Sequence, residues 1–119
     1  MREWPVWDTT TLHKMVGNDA AMHHRMLTLF LRDAEHQVPA IEVAASSGNL
    51  TLAAHLAHVL KTSTRMVGAL QMGQLCEEIE TAGDANEASL CGSLASRLVT
   101  AFSSVKQIVQ AQMQASTPP

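Results

Sequence analysis

Pairs of glycine with Asn or Asp punctuate this chain three times, at Gly17-Asn18-Asp19, Gly48-Asn49 and Gly83-Asp84, and apolar residues recur at helical spacing between them. Glycine ends a helix because it takes up a left-handed turn without a Cβ penalty, and an Asx side chain then caps the free amides of the next helix. The pattern cuts the chain into helical segments. Aromatic residues make up only 3%, so the core must come from Leu, Ala, Val, Met and Ile, which suits close-packed helices better than a sheet. There is no internal repeat, no glycine-rich phosphate loop and no alternating strand pattern. The expected class is all-α.

Five segments follow. A short helix, roughly Asp8 to Val16, has Asp8 as its N-cap and Leu12, Met15 and Val16 as apolar contacts, and should lie on the bundle as a lid. The second runs from about Asn18 to Ser46 with the stripe Leu27, Phe30, Ala34, Val38, Ile41 and Ala45, and Pro39 should bend or interrupt it. The third, about Asn49 to Val67, carries Leu52, Leu56, Val59, Met66 and then Leu70, with Ser63 as a polar exception. The fourth, about Ala69 to Ala82, turns Met72, Leu75, Cys76 and Ile79 inward and leaves Glu77, Glu78 and Glu80 mostly to solvent. The fifth, about Asn86 to Ala115, repeats Leu90, Leu94, Leu98, Ala101, Val105, Ile108 and Val109. Four long amphipathic helices with short connections predict an antiparallel up-down four-helix bundle with a short extra N-terminal helix.

At 119 residues and 46% hydrophobic content the chain fits one domain, 1–119, with a core over about 8–114. Residues 115–119 read as a linker-like tail, since Ser-Thr-Pro-Pro cannot continue a helix, and such a tail fits a domain cut from something longer. A net charge of -3 argues against a nucleic-acid partner, which needs a clustered basic face. Met1 to Thr10 has no continuous apolar run, so it is neither signal peptide nor membrane anchor, and the domain is expected in the cytoplasm without membrane contact. Cys76 and Cys91 lie in apolar helical patterns without CxxC spacing, and we expect buried free thiols.

At about 100° per residue, His58 shares a helix flank with Thr51, Ala54, His55, Lys61, Thr62 and Arg65, away from the apolar arc. An exposed imidazole near its unperturbed pKa is partly neutral at pH 7, so a ring nitrogen is free to attack phosphorus, and a phosphoryl group there would face Lys61 and Arg65. One of six histidines reaches a solvated face by chance readily enough that spacing alone does not decide the matter.

Local sequence does. Ala54-His55-Leu56-Ala57-His58-Val59-Leu60-Lys61-Thr62-Ser63, followed by Val67-Gly68-Ala69-Leu70, resembles the signature of histidine-containing phosphotransfer domains, which reads Ala-His-x-Leu-Lys-Gly-Ser and then Gly-Ala-x-x-Leu. Leu75-Cys76 and Ile79-Glu80 look like that family's Cys-x-x-Leu-Glu stretch, while Leu29-Phe30-Leu31-Arg32-Asp33-Ala34 and Gly48-Asn49 look like its second helix and Gly-Asp turn. The resemblance implies a phosphoryl carrier with His58 as acceptor, Lys61, Arg65 and Thr62 around the phosphate, and Thr51, Ala54 and His55 on a docking surface. It also implies response-regulator receiver domains and a sensor histidine kinase as partners, no cofactor or metal of the domain's own, and no enzymatic activity in the usual sense. Thr62 departs from the family glycine and adds bulk beside the ring.

Two other readings compete. His58-Val59-Leu60-Lys61-Thr62-Ser63 is also similar to the His-Glu-Leu-Arg-Thr-Pro box of histidine-kinase dimerisation helices, and Thr62 suits that box; the acidic residue and the proline are missing, however. A bundle metal site would want inward Glu-x-x-His pairs, and the Glu residues here sit on an outer face although His55 and His58 are spaced i, i+3. A non-catalytic helical interaction module remains as the class-level alternative. A monomer is expected, since four helices close one core within a single chain.

Overall fold

The computed structural model describes residues 4–115. Among the described residues there are five helices: α1 (Thr11–Val16), α2 (Ala20–Ser46), α3 (Leu50–Val67), α4 (Leu70–Asp84) and α5 (Ala88–Ala115). Helix α2 packs on α3, α3 on α4, α4 on α5, and α5 back on α2, which closes an up-and-down ring of four around one core. Extents of 48 × 26 × 21 Å fit a bundle whose longest helices rise about 1.5 Å per residue. Among the described residues no helix is long and apolar enough to cross a membrane.

The caps follow local chemistry. Asp19 and Asn49 each accept an amide hydrogen bond through the side chain, from Met22 at 3.1 Å and from Leu52 at 3.2 Å, so α2 and α3 begin where the Asx residues stand. Gly68 ends α3 in the left-handed region at φ 92°, with Ala69 N–H donating back to the Thr64 carbonyl at 2.8 Å. A Cβ on Gly68 would run into the Asp8 carbonyl, because the N-terminal segment is strapped over this corner. The strap consists of the Asp8 amide on the Gly68 carbonyl at 2.7 Å, the Trp7 indole on the Val67 carbonyl at 2.9 Å, and the Gln71 amide on the Pro5 carbonyl at 2.9 Å.

Several expectations need correction. Helix α1 starts at Thr11, because Asp8 uses its carboxylate on the Thr10 amide and hydroxyl before the helix begins; Leu12 is buried but Met15 is exposed. Pro39 does not interrupt α2, and it sits on the exposed face of the helix. Gly83 does not stop α4. It is helical and buried, and the turn falls at Asn86, whose φ is 58°. Ala115 is still helical, and the remainder of the expected linker lies outside the described residues.

The apolar face of α3 is the largest correction. Leu52, Val59 and Met66 are exposed, and the buried set is Leu50, Ala53, Ala54, Ala57, Leu60, Thr64 and Val67, centred roughly 120° round the helix from the expected stripe. Three alanines let α3 lie close to its neighbours, so the core here gains from close approach more than from side-chain bulk. Leu90 and Ile108 in α5 likewise face outward, while Cys91, Ala95 and Phe102 face inward. The stripe on α2 and the inward residues of α4 are buried as expected, and Cys76 and Cys91 are free and buried.

Candidate functional site

His58 projects from the middle of α3 with 62% of its side chain exposed. Its flank faces α4, which runs antiparallel after the Gly68 corner, so residues at similar distances from that corner oppose one another. The Glu80 carboxylate stands opposite His58 and bridges two groups at once: Oε2 lies 2.6 Å from His58 Nδ1, and Oε1 accepts from Lys61 Nζ at 2.7 Å. One turn nearer the corner, Arg65 Nη2 lies 3.4 Å from Glu77 Oε2. The flank is thus a ladder of α3 bases against α4 acids.

Enclosure differs along the ladder. Lys61 and Glu80 are only 17% and 23% exposed, whereas Arg65 and Glu77 are about half exposed. The Lys61 hydrogen bond is the main reason the Glu80 carboxyl is held below the usual carboxylate range; the His58 contact adds to it, and partial burial opposes both. The carboxylate therefore stays charged at neutral pH. With an anionic acceptor at Nδ1, the imidazole proton belongs on that nitrogen, and the lone pair of Nε2 is left towards solvent. Beneath the ladder, burial pushes the Cys76 thiol up to about 12, which keeps it out of nucleophilic chemistry.

The structure brings His58, Lys61 and Arg65 to one flank, with Thr62, Thr51 and His55 exposed beside it. Ala54 is the exception among the expected docking residues. It is buried, with its Cβ against Gly83, because the core of α3 lies on the Ala54 and Lys61 side of that flank and not on the Thr62 side, where the expected stripe placed it. The carboxylates were missed. Three glutamates in four residues read as one solvated face, although Glu80 shares a helix flank with Glu77 and Gly73, and folding α3 and α4 about Gly68 would have set it opposite His58. Among the described residues, no other histidine meets a carboxylate; His23 instead pairs with the Gly17 carbonyl at 2.7 Å. No group of three or more metal-ligating side chains converges among the described residues.

A family model described as Hpt domain matches residues 25–111. Among solved structures, the fold is similar to the crystal structure of histidine-containing phosphotransfer protein B (HptB) from Pseudomonas aeruginosa PAO1. The TM-score is 0.86 at 20% identity, with 97% of this chain and 100% of that chain covered. No curated protein sequence matches.

Proposed function

The chain belongs to the Hpt domain family, and from that premise we propose that His58 is its phosphoryl acceptor and that Nε2 is the reacting atom. Hpt domains are histidine phosphotransfer carriers of two-component relays, so the chain carries phosphoryl groups between receiver domains and kinases and is not an enzyme in the usual sense. The observation that supports His58 is the 2.6 Å contact between its Nδ1 and Glu80. This contact favours the tautomer with its proton on Nδ1 and leaves the other nitrogen towards solvent.

In the acceptor step the Nε2 lone pair attacks the phosphorus of an aspartyl phosphate on a receiver. The P–N bond forms as the P–O bond breaks, and the electron pair leaves with the aspartate carboxylate. The ring then holds its proton at Nδ1 and a positive charge, which Glu80 stabilises across the hydrogen bond. Donation to a second receiver is the reverse, with that receiver's aspartate as nucleophile. Arg65, half exposed and loosely paired, is the cation free to turn towards the phosphoryl group, while Lys61 holds Glu80 in place. Thr62 lies beside the ring and sets how closely a receiver approaches. The docking surface takes in Thr51 and His55, with exposed Leu52 and Val59 next to them.

The domain acts in the cytoplasm as a monomer, without membrane or nucleic-acid contact, and serves a sensor histidine kinase or is part of one. Sedimentation at low micromolar concentration checks the monomer. The assignment itself is tested with a phosphorylated receiver domain as donor. Label appears on the unmutated chain as an acid-labile, base-stable phosphoramidate and is absent from His58→Gln; label that persists in that variant or moves to His55 contradicts it.

A further inference from the structure

Two helical glycines sit where α3 and α4 meet, one on each side of Glu80. Gly83 is buried near the end of α4, and a Cβ on it would stand 2.8 Å from the Leu50 carbonyl oxygen and 2.9 Å from the Ala54 Cβ. Gly73 lies one turn from Glu77 towards the corner, and a Cβ there would stand 3.0 Å from Thr64 Oγ1 and 3.1 Å from Arg65 Cγ. A third helical glycine, Gly92 in α5, would meet nothing within 4 Å. Glycine is a poor helix residue, and at Gly83 the reason for it is space: any side chain would press on the backbone of α3.

The spacing matters because the Glu80 bridge is short on both sides. One carboxylate reaches Nδ1 at 2.6 Å and Nζ at 2.7 Å from opposite oxygens. If α4 moved out by about 1 Å with the side-chain rotamers kept, both contacts would exceed ordinary hydrogen-bond length. We propose that Gly83, assisted by Gly73, is a positioning residue for phosphoryl transfer, setting the α3–α4 separation at which Glu80 spans His58 and Lys61 together. This rests on the reading of His58 as acceptor. Gly83 touches no reacting atom; it acts through Glu80.

The three glycines make a graded series. Phosphoramidate serves as the phosphoryl donor to the full chain, so that docking of a receiver does not enter, and the rate of His58 labelling is read beside the nitrogen-15 spectrum of the ring. Gly92→Ala should match the unmutated chain. Gly73→Ala should be slower, since side chains there yield by a few tenths of an ångström, and Gly83→Ala slowest, by about tenfold, with the Nδ1-bound proton signal lost. In a Glu80→Ala background, Gly83→Ala should change the rate by less than about twofold, because no bridge is left to misplace. A merely structural glycine would slow both backgrounds alike, and that result overturns the proposal. So does Gly83→Ala at the unmutated rate with its Nδ1 proton intact. If Gly83→Ala does not fold, Gly73→Ala carries the same two-background comparison, and equal slowing in both backgrounds, or none in either, overturns the proposal there too. Absence of label at His58 in the unmutated chain would instead overturn the acceptor assignment.

Discussion

Two seams of the bundle carry the same ion pair. Between α3 and α4, Lys61 meets Glu80 at 2.7 Å; between α2 and α5, Lys106 meets both oxygens of Glu35 at 3.1 and 2.9 Å. By contact geometry the second is the fuller pair. It is also the wetter one, with side chains 37% and 51% exposed against 17% and 23%. At the α2–α5 seam both carboxylate oxygens are spent on one ammonium, so the pair is a surface tether. At the α3–α4 seam each oxygen takes a different partner, and the second partner is the histidine. Chemistry enters through how the acceptor sites of one carboxylate are shared out and how far water is kept from them.

The contrast is most exposed to test at Glu80. Glu80→Ala removes the acceptor from Nδ1 and frees the tautomer, so phosphoryl transfer should fall by about tenfold or more while helix content is kept. If transfer proceeds at the unmutated rate, the α3–α4 pair is a tether like the other.

Lys61→Met separates the two seams through pH. Since Lys61 is the chief cause of the low Glu80 pKa, its removal lets the carboxyl rise back towards the ordinary carboxylate range. A carboxyl depressed in the folded state gives stability that is present above its unfolded pKa and is lost as pH falls through its folded one. The unmutated domain should therefore lose this contribution only below the ordinary carboxylate range. Lys61→Met should lose the His58–Glu80 contact at higher pH, and ring nitrogen shifts followed down an acid titration check it. Identical acid titrations for the two proteins would assign the low Glu80 pKa to something other than Lys61.

Thr62→Ala tests the open side of the same imidazole. Removing the hydroxyl and branch beside the ring should raise receiver-supported transfer about twofold, or about 0.4 kcal/mol in the barrier, with no loss of stability. A longer phosphohistidine half-life with unchanged transfer would mean that the hydroxyl instead orients a hydrolytic water. The smallest effect is expected at the other seam: Glu35→Gln should change unfolding free energy by about 0–1 kcal/mol and leave transfer alone, as for other exposed pairs. A transfer defect in Glu35→Gln would erase the distinction between the seams.

How much of this was legible in the sequence differs between the same regions. The number and order of helices follow from Gly-Asx punctuation and period, and α2 shows its true face because Leu27, Phe30, Val38 and Ile41 are both bulky and buried. On α3 the rule that bulk marks the core fails: Ala53, Ala54 and Ala57 face inward, and Leu52 and Val59 face out. His58 stands out in the sequence through its local motif, and its side chain is exposed because it lies off both stripes. Glu80 was not legible, since its place opposite His58 depends on how α4 packs against α3, which periodicity along one helix does not show. Gly83 itself reads as a helix stop, because a glycine that ends a helix and one that admits a neighbouring backbone look alike in one dimension.

The proposed chemistry turns on Glu80 holding the Nδ1 proton and leaving Nε2 to the phosphoryl group. Phosphorus-31 and nitrogen-15 NMR of the phosphorylated, ring-labelled protein probes this without intermediary, because it reports which nitrogen bears phosphorus and whether the other keeps its proton. The expected spectrum has phosphorus coupled to Nε2 and a proton retained on Nδ1, with that proton signal weakened in Glu80→Ala. Phosphorus on Nδ1 would contradict it.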